Sequence, residues 1–153
     1  MAALLVSDVF GDFCLQEAVI NTSVSYSING RIHRDFYSEE EAEGIKNEFA
    51  EWTEIRPRIF EMIKGKNLPL SFRMTLSLKT EKMHALLHEK SPEGYSSAIK
   101  ELCVNIRFEK GVAAMMTGTS YESFVMTKAE DIIWDNAFME FLTSKNIAFT
   151  KQQ

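Results

Sequence analysis

Apolar residues fall on every second position from Leu68 to Leu78, and this alternation constrains the chain more than any other feature. Leu68, Leu70, Phe72, Met74, Leu76 and Leu78 point one way, with Ser71, Arg73, Thr75 and Ser77 between them. A side-chain period of two describes a strand with one apolar face, as in an antiparallel sheet covered on one side. Leu102, Val104, Ile106 and Phe108 repeat the pattern. Glu109-Lys110-Gly111 then turns the chain into a strand from Val112 to Thr117, and a further strand, Tyr121 to Met126, follows Gly118.

An earlier hairpin is expected as well. Ala18, Ile20, Val24, Tyr26 and Ile28 share a face, which Ile32 and Phe36 join if Ile28-Asn29-Gly30 forms a three-residue loop with Gly30 left-handed. The same bulged turn is expected at Glu109-Lys110-Gly111. On this pairing His33 lies opposite Ser25, and Asp35 opposite Ser23.

The helices have their own signals. Ser38-Glu39-Glu40-Glu41 is a capping box, and Ile45, Phe49, Trp52, Ile59 and Ile63 recur on one face after it. This predicts a helix from Ser38 to about Gly65, kinked or restarted at Pro57. Thr127-Lys128-Ala129-Glu130 opens the last helix in the same way, with Trp134, Ala137, Phe138, Phe141 and Leu142 as its apolar stripe. A shorter helix from about Thr80 to Lys90 buries Met83, Leu86 and Leu87. The expectation is one α+β domain over residues 1–153, an antiparallel sheet in the order ββαβαβββα packed by two to three helices.

At 153 residues and 45% hydrophobic, such a domain buries a core without staples. Cys14 and Cys103 are its only cysteines, which excludes a disulfide scaffold and a four-cysteine zinc site. The 17 basic and 22 acidic residues leave a net charge of −5, which disfavours nonspecific nucleic-acid binding unless the basic groups cluster. Met1 to Val6 lacks the basic flank of a signal peptide, and no apolar run approaches the roughly 20 residues that span a bilayer. A cytoplasmic protein without a membrane partner is expected.

Several constellations could carry chemistry. The polar side of the first hairpin gathers Asn21, Ser23, Ser25, Ser27, Arg31, His33, Asp35 and Tyr37. Serine, histidine and aspartate on neighbouring positions suggest a hydrolase with His33 as base, although a flat strand face supplies no oxyanion hole. The same face also reads as a solvated surface or as a ligand or partner site. Arg56 falls on the apolar side of the long helix, where a guanidinium needs a carboxylate or carbonyls. It reads either as an anion site with Arg58, Lys64 and Lys66 nearby, or as a structural arginine bridging the Pro57 break. His84 and His88 have metal-binding i, i+4 spacing, but no HExxH motif or evident third ligand accompanies them, so neither a metal nor a cofactor is expected. Thr117-Gly118-Thr119-Ser120 reads as a small polar turn able to touch phosphate. Cys103, beside Asn105 and Arg107, has no adjacent histidine to activate it and reads as an unreactive thiol. Val112 to Met116 is apolar on both faces, as in a central strand covered twice or a face covered by another subunit. Phosphate-binding loops and nucleophile elbows are absent from the sequence.

Ile28-Asn29-Gly30-Arg31-Ile32-His33, Trp52-Thr53-Glu54-Ile55-Arg56-Pro57, Ile63-Lys64-Gly65-Lys66, Pro69-Leu70-Ser71-Phe72, Asn105-Ile106-Arg107-Phe108, Met116-Thr117-Gly118-Thr119-Ser120 and Ile133-Trp134-Asp135 occur together in this chain. With them it resembles an uncharacterised family of small single-domain proteins of unknown function from anaerobic Gram-positive bacteria. That resemblance implies no activity and no catalytic residue. The βαβββ unit of residues 68–126 is also similar in architecture to a half-domain of the DNA sliding clamps. No complete catalytic set is present, so the expected function is a non-catalytic binding or assembly module, with a homo-oligomer as one form of it. The alternatives are a small-molecule or anion-binding enzyme using Arg56 with His33 or Asp35, and a clamp-like DNA-associated protein. Candidate binding residues are Arg56, His33, Asp35, Arg31, Tyr37, Thr117 and Thr119.

Overall fold

A computed structural model describes residues 2–126 and 129–152. Its chain order is α1 (Ala2–Leu5), β1 (Phe13–Asn21), β2 (Ser25–Asn29), a 3-10 turn (Arg34–Phe36), α2 (Glu39–Glu43), β3 (Ala50–Glu51), α3 (Trp52–Ile63), β4 (Ser71–Leu78), α4 (Thr80–Lys90), β5 (Ile99–Glu109), β6 (Val112–Tyr121) and α5 (Ala129–Ser144). The strands form one antiparallel sheet in the order β2-β1-β4-β5-β6, with the short β3 also pairing β1. The class is α+β, as the alternation requires.

One face of the sheet is the core. Ala18, Met74 and Ile106 share a row across three strands, as do Ile20, Phe72 and Phe108, and all are buried. Trp52 and Ile59 from α3, Met83 and Leu87 from α4, and Trp134, Phe138 and Leu142 from α5 close over this face. The polar ends of both indoles are satisfied: Trp52 Nε1 donates to the Leu4 carbonyl at 3.1 Å and Trp134 Nε1 to the Cys103 carbonyl at 2.7 Å. The opposite face is open to solvent at Glu17, Arg73, Asn105 and Arg107, whereas the row Cys14, Ser77 and Cys103 on it is buried.

The structure redraws several local expectations. The first hairpin turns at Thr22-Ser23-Val24, because Asn21 pairs with Ser25 and Ala18 with Ile28. Ala18, Ile20, Tyr26 and Ile28 still share a face, but His33 and Asp35 lie beyond β2 and oppose no serine. Gly30 serves as a close-approach residue, since a Cβ there would stand 1.9 Å from the Leu15 carbonyl oxygen. The Ser38 capping box forms, yet α2 ends at Gly44 and the helix restarts at Trp52, before Pro57, which α3 carries inside it. Between the two helices, β3 pairs β1 through Cys14–Glu51 and Leu15–Ala50. Strand pairing therefore takes over a stretch whose apolar spacing suits a helix.

The second hairpin closes on Glu109 and Val112, with Lys110 at φ 52 and Gly111 at φ 78. Positive φ at both central residues is a two-residue type I′ turn, not the bulged loop. Strand β6 then runs through Gly118 to Tyr121, so no separate strand forms at 121–126 and Thr117 to Ser120 are strand residues. Leu68 and Leu70, outside β4, are exposed. The Thr127-Lys128 half of the last capping box lies outside the described residues.

Candidate functional site

The most unusual surface lies along β6. The strand is at the end of the sheet and, among the described residues, pairs only with β5. Its first half is exposed on both sides: Val112 is 66% and Met116 71% accessible, and Ala113 and Ala114 are exposed with them. The expectation of a central strand covered twice is therefore overturned. Because the type I′ turn closes on Glu109–Val112, alternate residues Ala113, Met115, Thr117 and Thr119 direct their N–H and C=O groups away from β5. No charged residue interrupts the strand, while Lys110 precedes it and Glu122 follows it. Exposed apolar groups continue nearby at Ile132 on α5 and at Phe124 and Met126 in the segment after β6.

The second half of β6 is held down by α5. Thr117 donates to Asp135 Oδ1 at 2.9 Å, and Thr119 donates to Asp131 Oδ1. Tyr121 donates to Glu130 Oε2 at 3.4 Å, and the buried Glu130 also accepts from the Ser96 amide at 2.6 Å. Burial, followed by the Glu130 and Asp131 charges, pushes the Tyr121 hydroxyl up to about 12. Thr117 and Thr119 do border a small hollow of about 280 Å³, shared with Asp131 and Asp135. An anion entering it would meet two carboxylates, so these threonines act as clamps between β6 and α5.

The remaining candidates separate. Arg56 turns onto the N-terminal segment, with Nη1 donating to the Leu5 carbonyl at 3.0 Å and Nη2 to Asp8 Oδ1 at 3.2 Å. It fastens α1 to α3 and is carried inside the continuous helix that contains Pro57. Arg31 pairs with Glu48 and lies 5.1 Å over the Phe49 ring. His33 and Asp35 are exposed around the 3-10 turn. Tyr37 meets Phe36 edge-on at 5.2 Å, and both border a cleft of about 810 Å³. Glu54, Glu81 and His84 also line this cleft, which Arg34 shapes by donating to the Ala42 and Ile45 carbonyls at 2.8 and 3.0 Å. Lys46 stands among these aromatic and carboxylate walls, so the cleft is of mixed charge. Arg56, His33 and Asp35 do not line it, so the structure does not bring the three together there.

His84 and His88 converge on Tyr95. His84 Nδ1 is 2.8 Å from the tyrosine hydroxyl, and the His88 ring stands edge-on to it at 5.3 Å. Among the described residues no group of three histidines, cysteines or carboxylates is placed to hold a metal ion. Cys14 and Cys103 both flank Ser77 in adjacent strands, and both are buried. Burial pushes the Cys103 thiol up to about 12 and the Cys14 thiol up to about 11. Among the described residues no helix is long and apolar enough to cross a membrane.

Arg34, which ties Ala42 and Ile45 together, and Tyr95 between the histidines have no short motif to announce them. The doubly apolar run Val112 to Met116 was the one legible signal. A family model described as a family of unknown function (DUF5721) matches residues 3–150, and the chain belongs to that family. No curated protein and no solved structure matches it.

Proposed function

We propose that this member of a family of unknown function is a non-catalytic cytoplasmic assembly module, in which β6 pairs antiparallel with β6 of a second copy. The observation that carries this reading is the uncharged, doubly exposed end of β6, with a row of backbone donors and acceptors turned outward. Such an edge is a template for another strand, and sheet proteins ordinarily blunt it with charge, proline or bulges.

The strand is also self-complementary. A two-fold axis through Met116 sets Ala114 against Gly118 and Val112 against Ser120. Lys110 and Glu122 lie equally far on either side of Met116, so each lysine faces the partner's Glu122, an ion pair made twice by symmetry. Neither residue has an ion-pair partner within the chain among the described residues.

Sedimentation equilibrium tests the reading directly. The expected species has twice the 17.5 kDa mass of the chain. Lys110→Glu should convert it to monomer and Lys110→Glu with Glu122→Lys should restore it. A wild-type monomer at high micromolar concentration, or a dimer indifferent to both changes, would overturn it. Salt-sensitive DNA binding by a monomer would favour the clamp-like alternative instead.

A further inference from the structure

Arg73 on β4 and Arg107 on β5 are direct cross-strand partners on the open face of the sheet. Residues so placed have Cβ atoms about 4.5–5.5 Å apart, and like charges there destabilise a sheet. The neighbouring rows on the same face are matched: Thr75 donates to Asn105 at 2.7 Å and Asn21 to Ser71 at 2.9 Å. Arg31, Arg34 and Arg56 each have an acceptor. Arg73 and Arg107 have none among the described residues, whether carboxylate, carbonyl or hydroxyl.

Arg73 and Arg107 border one hollow of about 340 Å³, together with Asn21, Ser71, Glu109 and Val112. We propose that this hollow is a binding site for a small, singly phosphorylated molecule, its phosphoryl group held between Arg73 and Arg107. Two planar forks supply the donors that a tetrahedral oxyanion accepts, and the bound charge removes the repulsion between them. Asn21 and Ser71 offer further polar contacts at the same end. Val19, Val112 and Ala114 give the organic part of the ligand an apolar wall. Glu109 sets the class of ligand. Its carboxylate repels a second phosphate or a polyanionic backbone and accepts from an amine or hydroxyl, so a phosphorylated amino or hydroxy compound fits better than a nucleic acid. The hollow is built within one copy and does not depend on β6 pairing.

The probes are inorganic phosphate, phosphoethanolamine and, as a control, ethanolamine, titrated by calorimetry into the full chain. Phosphoethanolamine should bind more tightly than phosphate, and ethanolamine should not bind. Arg73→Gln and Arg107→Gln should each weaken phosphoethanolamine by about tenfold or more, the effect of losing a hydrogen bond to a charged group. Arg58→Gln, on an exposed part of α3, should change nothing. Glu109→Gln should remove the preference for phosphoethanolamine over phosphate. Without ligand, Arg107→Gln should melt no lower than wild type, because it relieves a like-charge pair; this confirms that the variant folds. Failure of both phosphate probes to bind wild type, or unchanged binding by both arginine variants, overturns the proposal. Duplex DNA binding that competes out phosphoethanolamine and is lost in the same variants also overturns it, in favour of a polyanion surface.

Discussion

The two edges of this sheet are built on opposite principles. The β2 edge is five residues long, begins and ends in polar side chains, and gives way at once to Gly30 and the 3-10 turn. Beyond it β3 pairs the rest of β1, so little of that strand is left unpaired. The β6 edge is ten residues long and carries no charge. Short, polar and shared against long, uncharged and exposed in its first half is the difference between a protected edge and an available one. The proposed assembly accordingly uses the β6 side of the molecule.

The largest effect should come from breaking the protected side. In Gly30→Ala the new methyl would meet the Leu15 carbonyl carbon at 2.8 Å as well as its oxygen, all of it backbone. Gly30 also donates to Gln16 and accepts from Ala50, both at 2.8 Å. Chemical denaturation should show a loss of about 3 kcal/mol, the upper range for overpacking. Loss under 1 kcal/mol would mean that the β2 side yields easily and the contrast is weaker than drawn.

Next is Met116→Lys, which places two ammonium groups together at the proposed axis. The dimer should weaken by about 100-fold while the monomer melts within about 0.5 kcal/mol of wild type, as for other exposed substitutions. Ser27→Lys on β2 should leave the association untouched. Equal effects from the two lysines would dissolve the distinction between the edges.

Between the edges the sheet should stay closed, and the thiols report on it. The native state holds Cys14 and Cys103 protonated up to about 11 and about 12, against an ordinary thiol value of 9.0. Both should react with a thiol reagent at neutral pH far more slowly than in the unfolded chain. The raised values also fix the sign of the alkaline response. Their contribution to stability is whole below pH 9 and is lost as pH rises through 11 to 12, where the unfolded chain has already released these protons. Cys103→Ala should flatten that fall. Fast native labelling would show that one edge opens far enough to expose the interior.

The smallest change is Gly118→Ala. A Cβ there meets nothing within 4 Å, in contrast to Gly30. Alanine should stabilise the chain by about 0.5 kcal/mol through the unfolded state. At the proposed interface the methyl would lie opposite Ala114, so a more stable monomer and weaker pairing in the dimer would appear together.

Which of these features the sequence reveals follows from how local their causes are. The β4 and β5 alternation and the Ser38 capping box are legible because each depends on residues a few positions apart. Gly30 is the instructive failure: next to Asn29 it looks like a turn glycine, yet it is needed because Leu15 passes against it. Likewise Ile45, Phe49 and Trp52 have helical spacing, but Phe49 bridges to Arg31 and Ala50 pairs with Leu15. At the proposed sites, the apolar run of β6 is visible in one dimension, whereas its position at the end of the sheet is not. Arg73 and Arg107 are unremarkable in sequence and meet only through strand register.

That register also fixes an order in time. The β5–β6 hairpin closes through a two-residue turn, a microsecond event that needs nothing from the rest of the chain. Strand β1 reaches β4 only across a separation of 50 residues, as at Asn21 and Ser71, and loop closure makes such pairings late. The free edge of β6 therefore exists before the molecule it belongs to is finished. In a crowded population of folding chains, partner choice and misassembly would compete for the same strand, and dilution during refolding should favour the correct outcome.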